Sequence, residues 1–114
     1  MIPCARGGTR LELWLPGDYL FENALFQAKY AQKSSKLTAI LWHQGESDNQ
    51  PDRVAIYKER FYTVMSTMKR ELGLPENFPV IMGELSHHIS EQNDPGRYTL
   101  QLNEAFHEIA NETP

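Results

Sequence analysis

Two short apolar runs, "LTAILW" at 37–42 and "FPVIMGEL" at 78–85, flank a longer stretch, "PDRVAIYKERFYTVMSTMKREL", in which apolar residues recur every three or four positions. A short continuous apolar run bounded by turn residues predicts a strand buried on both faces. The stretch between them places Val54, Tyr57, Phe61, Val64, Met65, Met68 and Leu72 on one face of a helix. Pro51 suits its first turn, and Gly73 followed by Pro75 suits its end. Strand, helix and strand make a βαβ unit, whose crossover is right-handed. An earlier helix is predicted after Asp18, as N-cap, with Phe21, Ala24, Leu25, Ala28 and Ala31 inward. A last one is predicted over 98–110, with Leu102, Ala105, Phe106 and Ile109 as its apolar stripe. If "MIPCA" is also a strand, the order βαβαβα predicts an α/β sandwich around a parallel sheet. Ligands of such sheets bind beyond the carboxyl ends of the strands, which here means residues 6–9, 43–49 and 84–88.

Composition narrows the picture. A chain of 114 residues, 40% apolar and 23% charged, is one globular domain at most. Its net charge of -4 comes without a basic block, so a nucleic-acid partner is not expected. No apolar run approaches the roughly 20 residues that cross a bilayer, so no membrane partner is expected either. The first residues carry no visible export signal, and localisation is left open. The single Cys4 has no internal disulfide partner and reads as a small hydrophobe.

The chemistry concentrates in "WHQGESDN" at 42–49. "GESDN" comes close to the G-x-S-x-G nucleophile elbow, but Asn49 stands where the second glycine belongs. Ser47 and Asp48 therefore read as turn residues capping the helix that follows. His87 and His88, with Ser86 and Asp94 nearby, invite a triad or, with His43, a metal site, yet no metal-binding spacing is present. They read as a solvated or substrate-lining loop, and neither metal nor cofactor is expected. His107 is expected at the surface. For His43, a hydrogen-bonded structural role and a site-lining role both stand. Arg6 and Trp14 are candidates for holding a ligand by hydrogen bonds and stacking, and Trp14 is equally a candidate for the core.

"PCARGGT" at 3–9, the Trp and "PG" at 14, 16 and 17, "LWHQGESD" at 41–48 and "Y..RF" at 57–61 together resemble one family. It is the SGNH-hydrolase branch of the sialate O-acetylesterases and family 6 carbohydrate acetylesterases. The resemblance implies a three-layer α/β/α sandwich with a flavodoxin-like parallel sheet, and a metal-free serine esterase that removes acetyl groups from carbohydrates. By similarity, Gly8 supplies a backbone oxyanion donor, with Gly7 as the neighbouring possibility. Gln44 supplies a side-chain donor, and Glu46 either orients the catalytic histidine or serves as a structural acid. Arg6, Trp14 and His43 would face the sugar. Family members also carry an early "GQSN" with the nucleophile and a late "DxxH" with the base, and neither string occurs here. The implied domain is thus partial, spanning 1–114, and incomplete in fold. Two other readings stay open: a self-contained small esterase using Ser47 with His43 or His87, and a sugar-binding or interaction module without chemistry.

Overall fold

A computed structural model describes residues 1–45, 48, 51–85 and 96–112, except for the side chains of 51, 54 and 96–100. A 3-10 turn, Leu11–Trp14, leads into helix α1, Tyr19–Ala31. Strand β1, Ile40–Trp42, is followed by helix α2, Pro51–Glu71, strand β2, Val80–Met82, and helix α3, Gly96–Glu112. The two strands pair in parallel, Ile40 with Val80, Leu41 with Ile81 and Trp42 with Met82. The βαβ unit expected from the periodicity is therefore present, as part of an incomplete α/β fold.

The helices form where the apolar spacing is helical, and they bury the large residues that spacing selects, with Met68 and the alanines half-buried and the side chain of Val54 outside the described residues. Phe21 and Leu25 of α1, Tyr57, Phe61, Val64, Met65 and Leu72 of α2, and Leu102, Phe106 and Ile109 of α3 make one core with Leu11 and Leu85. Helix α2 stops as its sequence requires. Gly73 takes a positive φ of 68°, the Leu74 N–H reaches the Lys69 carbonyl at 2.8 Å, and the Gly73 N–H reaches the Arg70 carbonyl at 3.2 Å. That pair of bonds is the Schellman pattern, which only an αL residue permits. The buried Lys69 runs its stem over the same end and donates from Nζ to the Glu76 carbonyl at 2.8 Å.

Two expectations are corrected. Residues 1–6 form no strand; Pro3 has no N–H to give a ladder, and no described strand lies beside them. The strands are not buried on both faces either. Ile40, Trp42, Val80 and Met82 pack against the core, whereas Leu41 and Ile81 are 64% and 59% exposed. Among the described residues the helices cover one face of the sheet, and the second helical layer of a three-layer sandwich is not represented. Continuous apolarity marked both faces for burial, but it cannot say which residues do the covering.

Asn103 was not singled out from the sequence. It is buried on α3 among apolar neighbours, and its side-chain amide pairs with the backbone of Leu85. The Leu85 N–H donates to Oδ1 at 2.8 Å, and Nδ2 donates to the Leu85 carbonyl at 3.2 Å. This two-way bond continues the polar accounting of β2 past its last ladder residue and ties α3 to the sheet.

Candidate active site

The turn that carries Gly7 and Gly8 and the loop that leaves β1 come together at the carboxyl end of that strand. Gly8 sits at φ 71°, a conformation glycine adopts at no steric cost. The turn is closed by the Thr9 hydroxyl, which donates to the Arg6 carbonyl at 2.7 Å and accepts from Trp14 Nε1 at 2.9 Å. Arg6 and Gly8 are exposed.

Gln44 joins this turn to the β1 loop. Its Nε2 donates to the Thr9 carbonyl at 3.1 Å and to Asp48 Oδ2 at 2.5 Å, and its Oε1 accepts from the Tyr57 hydroxyl at 2.8 Å. A carbonyl and a carboxylate can only accept, so the amide orientation is fixed by its partners. Both amide hydrogens are thereby engaged inside the protein. The expectation that Gln44 offers one to an oxyanion meets a side chain already holding two loop segments in place.

Asp48 is 1% exposed, and its Oδ2 also accepts the Leu11 N–H at 2.9 Å. Leu11 opens the 3-10 turn, where the first N–H groups have no partner within the turn. Arg10, at its N-cap, makes no side-chain cap bond. The Asp48 carboxylate caps this turn from 37 residues away. Sequence reasoning expected Asp48 to cap the following helix, and nothing local signals its reach to Leu11.

Tyr57 lies beneath, fully buried, and accepts from Trp42 Nε1 at 3.2 Å. Read from the sequence it is a core residue; its ring does pack against Phe106, with centroids 5.4 Å apart, but its hydroxyl belongs to the loop network. Trp14 is partly buried against the core and meets Trp42 edge-on at 6.3 Å, with its N–H directed to Thr9. That places it between the two roles open to it.

His43 is exposed, and the Cδ2 edge of its ring lies close to Gly83, where an added Cβ would stand 2.6 Å from Cδ2. Gly45, at φ 144°, allows the loop to pass Leu85 and Phe106, to which a Cβ would come within 3.1 and 3.2 Å. His107 is at the surface as expected and pairs with Glu84 past the end of β2. Cys4 is partly buried, which raises its thiol pKa, so it carries no activated thiolate character. Among the described residues no cluster of His, Cys, Asp and Glu could hold a metal, and no helix is long and apolar enough to cross a membrane. Glu46 and Ser47, and the loop of Ser86, His87, His88 and Asp94, lie outside the described residues.

The family described as carbohydrate esterase, sialic acid-specific acetylesterase, matches residues 1–113. The chain belongs to that family. A probable carbohydrate esterase of Arabidopsis thaliana is 31% identical over 83 residues, covering 71% of this chain and 32% of its own length. The X-ray structure of an Arabidopsis thaliana protein of the same locus name superposes with a TM-score of 0.78 at 28% identity, over 90% of this chain and 40% of that one. This member of the carbohydrate esterase family thus spans about a third of the curated relative it matches.

Proposed function

We propose that the chain is part of a serine esterase domain that hydrolyses O-acetyl esters of carbohydrates, and that it contributes the oxyanion-binding side of the SGNH-type site. The observation that carries this reading is the Gly8 turn, fixed by Gln44 at the carboxyl end of β1. In the reaction, a serine hydroxyl gives its proton to a histidine as its oxygen adds to the acetyl carbonyl carbon, and the carbonyl oxygen becomes an oxyanion. The Gly8 N–H donates to that oxygen. Collapse of the intermediate expels the sugar hydroxyl, protonated by a histidine, and water then releases acetate from the acyl-serine. The serine and histidine of this scheme come from polypeptide beyond these 114 residues. Glu46 either orients that histidine or holds the loop, and Arg6, Trp14 and His43 border the sugar.

Gln44 acts in this scheme by holding Thr9, and with it Gly8, in place. Gln44→Ala lowers turnover about 100-fold, the size of one oxyanion donor lost or misplaced. The deciding experiment measures acetate release from O-acetylated sialic acid and acetylated xylo-oligosaccharides by the 114-residue chain and by the same chain joined to its gene's flanking polypeptide. Release by the longer protein alone is the expected result. A longer protein inert on both sugars would sink the esterase reading, and acetate release by the short chain with a fluorophosphonate adduct on Ser47 would replace it by a self-contained esterase.

A further inference from the structure

We infer that Asp48 is the positioning residue of the oxyanion turn: its buried carboxylate anchors the backbone that presents Gly8 and locks Gln44 in the orientation that holds Thr9. This rests on the esterase reading above for its functional meaning, but its structural basis stands independently. A carboxylate that is 1% exposed is costly to bury unless its charge is met by donors. Oδ2 meets two, the Leu11 N–H at 2.9 Å and Gln44 Nε2 at 2.5 Å, and both belong to the joint between the turn and the β1 loop. The Asp48 N–H in turn donates to the Gly45 carbonyl at 3.0 Å, tying Asp48 to the backbone just after Gln44.

The consequence is a chain of constraint. Leu11 is buried in the core, so an anchor on its N–H fixes the point where the turn leaves the core. Thr9, two residues earlier, is held by Gln44, and Gln44 is held by Asp48. Gly8 lies between the Thr9 bond to Gln44 and the Thr9 hydroxyl bond back to Arg6, on a stretch clamped at both ends. Glycine alone would leave that stretch free to sample many conformations, and an oxyanion donor works only when it is already aimed. An acceptor oxygen that can take both bonds at once is what this task needs, and a carboxylate supplies it with the added strength of charge-assisted bonds.

The test compares Asp48→Ala and Asp48→Asn with the unaltered 114-residue chain by residue-resolved amide hydrogen exchange. Asp48→Ala is expected to speed exchange at Leu11 about tenfold or more while amides in the middle of α2 and α3 change less than about threefold. Asp48→Asn keeps an oxygen that can accept both bonds and restores most of the protection at Leu11. Unchanged exchange at Leu11, or a uniform rise along the whole chain, would overturn the inference. Should Asp48→Ala fail to fold, the unaltered chain still decides: a through-hydrogen-bond coupling between the Leu11 nitrogen and the Asp48 carboxyl carbon is expected, and its absence overturns it. In the longer acetate-releasing protein, Asp48→Ala lowers kcat about 100-fold with KM little changed, and Asp48→Asn recovers most of it. A longer protein that releases no acetate would sink the esterase reading while leaving the exchange result intact. Normal kcat in Asp48→Ala with acetate released by the parent would sink the positioning role alone.

Discussion

Tyr57 has one hydroxyl hydrogen, and the structure turns it toward Gln44, where Oε1 lies at 2.8 Å and the backbone carbonyl at 3.1 Å. Its lone pairs face Trp42 Nε1. Removing this hydroxyl leaves the packing of the ring intact and takes a partner from the Trp42 indole N–H and from both oxygens of Gln44. Tyr57→Phe is therefore expected to cost about 1–3 kcal/mol, the penalty for buried groups left unpaired, read from the urea midpoint at constant m. A variant as stable as the parent would show that water substitutes for the hydroxyl. The glycine turn and the polar loop that meet at the candidate site were legible as places of interest. Gly8, Gln44 and the loop around them stand out because glycine pairs and a polar run after a strand have local signatures. Asp48 and the hydroxyl of Tyr57 did not stand out. An aspartate after Gly-Glu-Ser looks like any turn residue until the 3-10 turn arrives above it, and a tyrosine at helical spacing looks like any core aromatic.

At the scale of elements, the helices were legible because a period of 3.6 is a property of the sequence itself. The conditional strand at 1–5 did not form, because pairing depends on a neighbour that spacing does not reveal. The same limit hid Asn103, which replaces a missing strand partner for Leu85. Asn103→Ala strands both the Leu85 N–H and its carbonyl, and is expected to cost about 2–3 kcal/mol in chemical denaturation; Asn103→Leu fares no better, because it adds apolar area without supplying either bond. Helix α3 is also clamped to α2 at the surface. Lys58 donates to Glu112 at 2.5 Å and the Tyr62 hydroxyl donates to the same carboxylate at 2.7 Å. These bonds hold the Glu112 carboxyl below the usual carboxylate range, and the bond to Glu112 raises the Lys58 ammonium. A lowered carboxyl contributes stability above its unfolded pKa and loses it as pH falls through its folded value. The clamp is thus complete at neutral pH and relaxes on acidification. A carbon-detected NMR titration is expected to place the Glu112 midpoint below that of an unfolded peptide, and Glu112→Gln removes the matching acid-side loss in stability. Both groups are exposed, so the effect shrinks in high salt.

At the scale of the molecule, the described residues present a parallel sheet with one face covered. Leu41 and Ile81 are paired in register and open to water on the other, whereas parallel sheets are ordinarily covered on both sides. The isolated chain is expected to self-associate through this face, with a sedimentation coefficient that rises with concentration. Leu41→Lys with Ile81→Lys should flatten that rise while the circular dichroism of the helices stays unchanged; an unaltered concentration dependence would place the contact elsewhere.

The bonds that join residues 9 and 11 to residues 44 and 48 close a loop of some 35 positions, and α1 and β1 lie inside it. Closing a flexible loop of that length costs about 3 kcal/mol of chain entropy, comparable to what a few buried hydrogen bonds return. The clasp is consequently not self-supporting. Its bonds depend on α1 being folded and on Leu11 being seated in the core, so the turn is expected to keep its shape only within the packed fold. A lesion that loosens α1 or unseats Leu11 is therefore expected to slacken the glycine turn as well, although neither touches it directly.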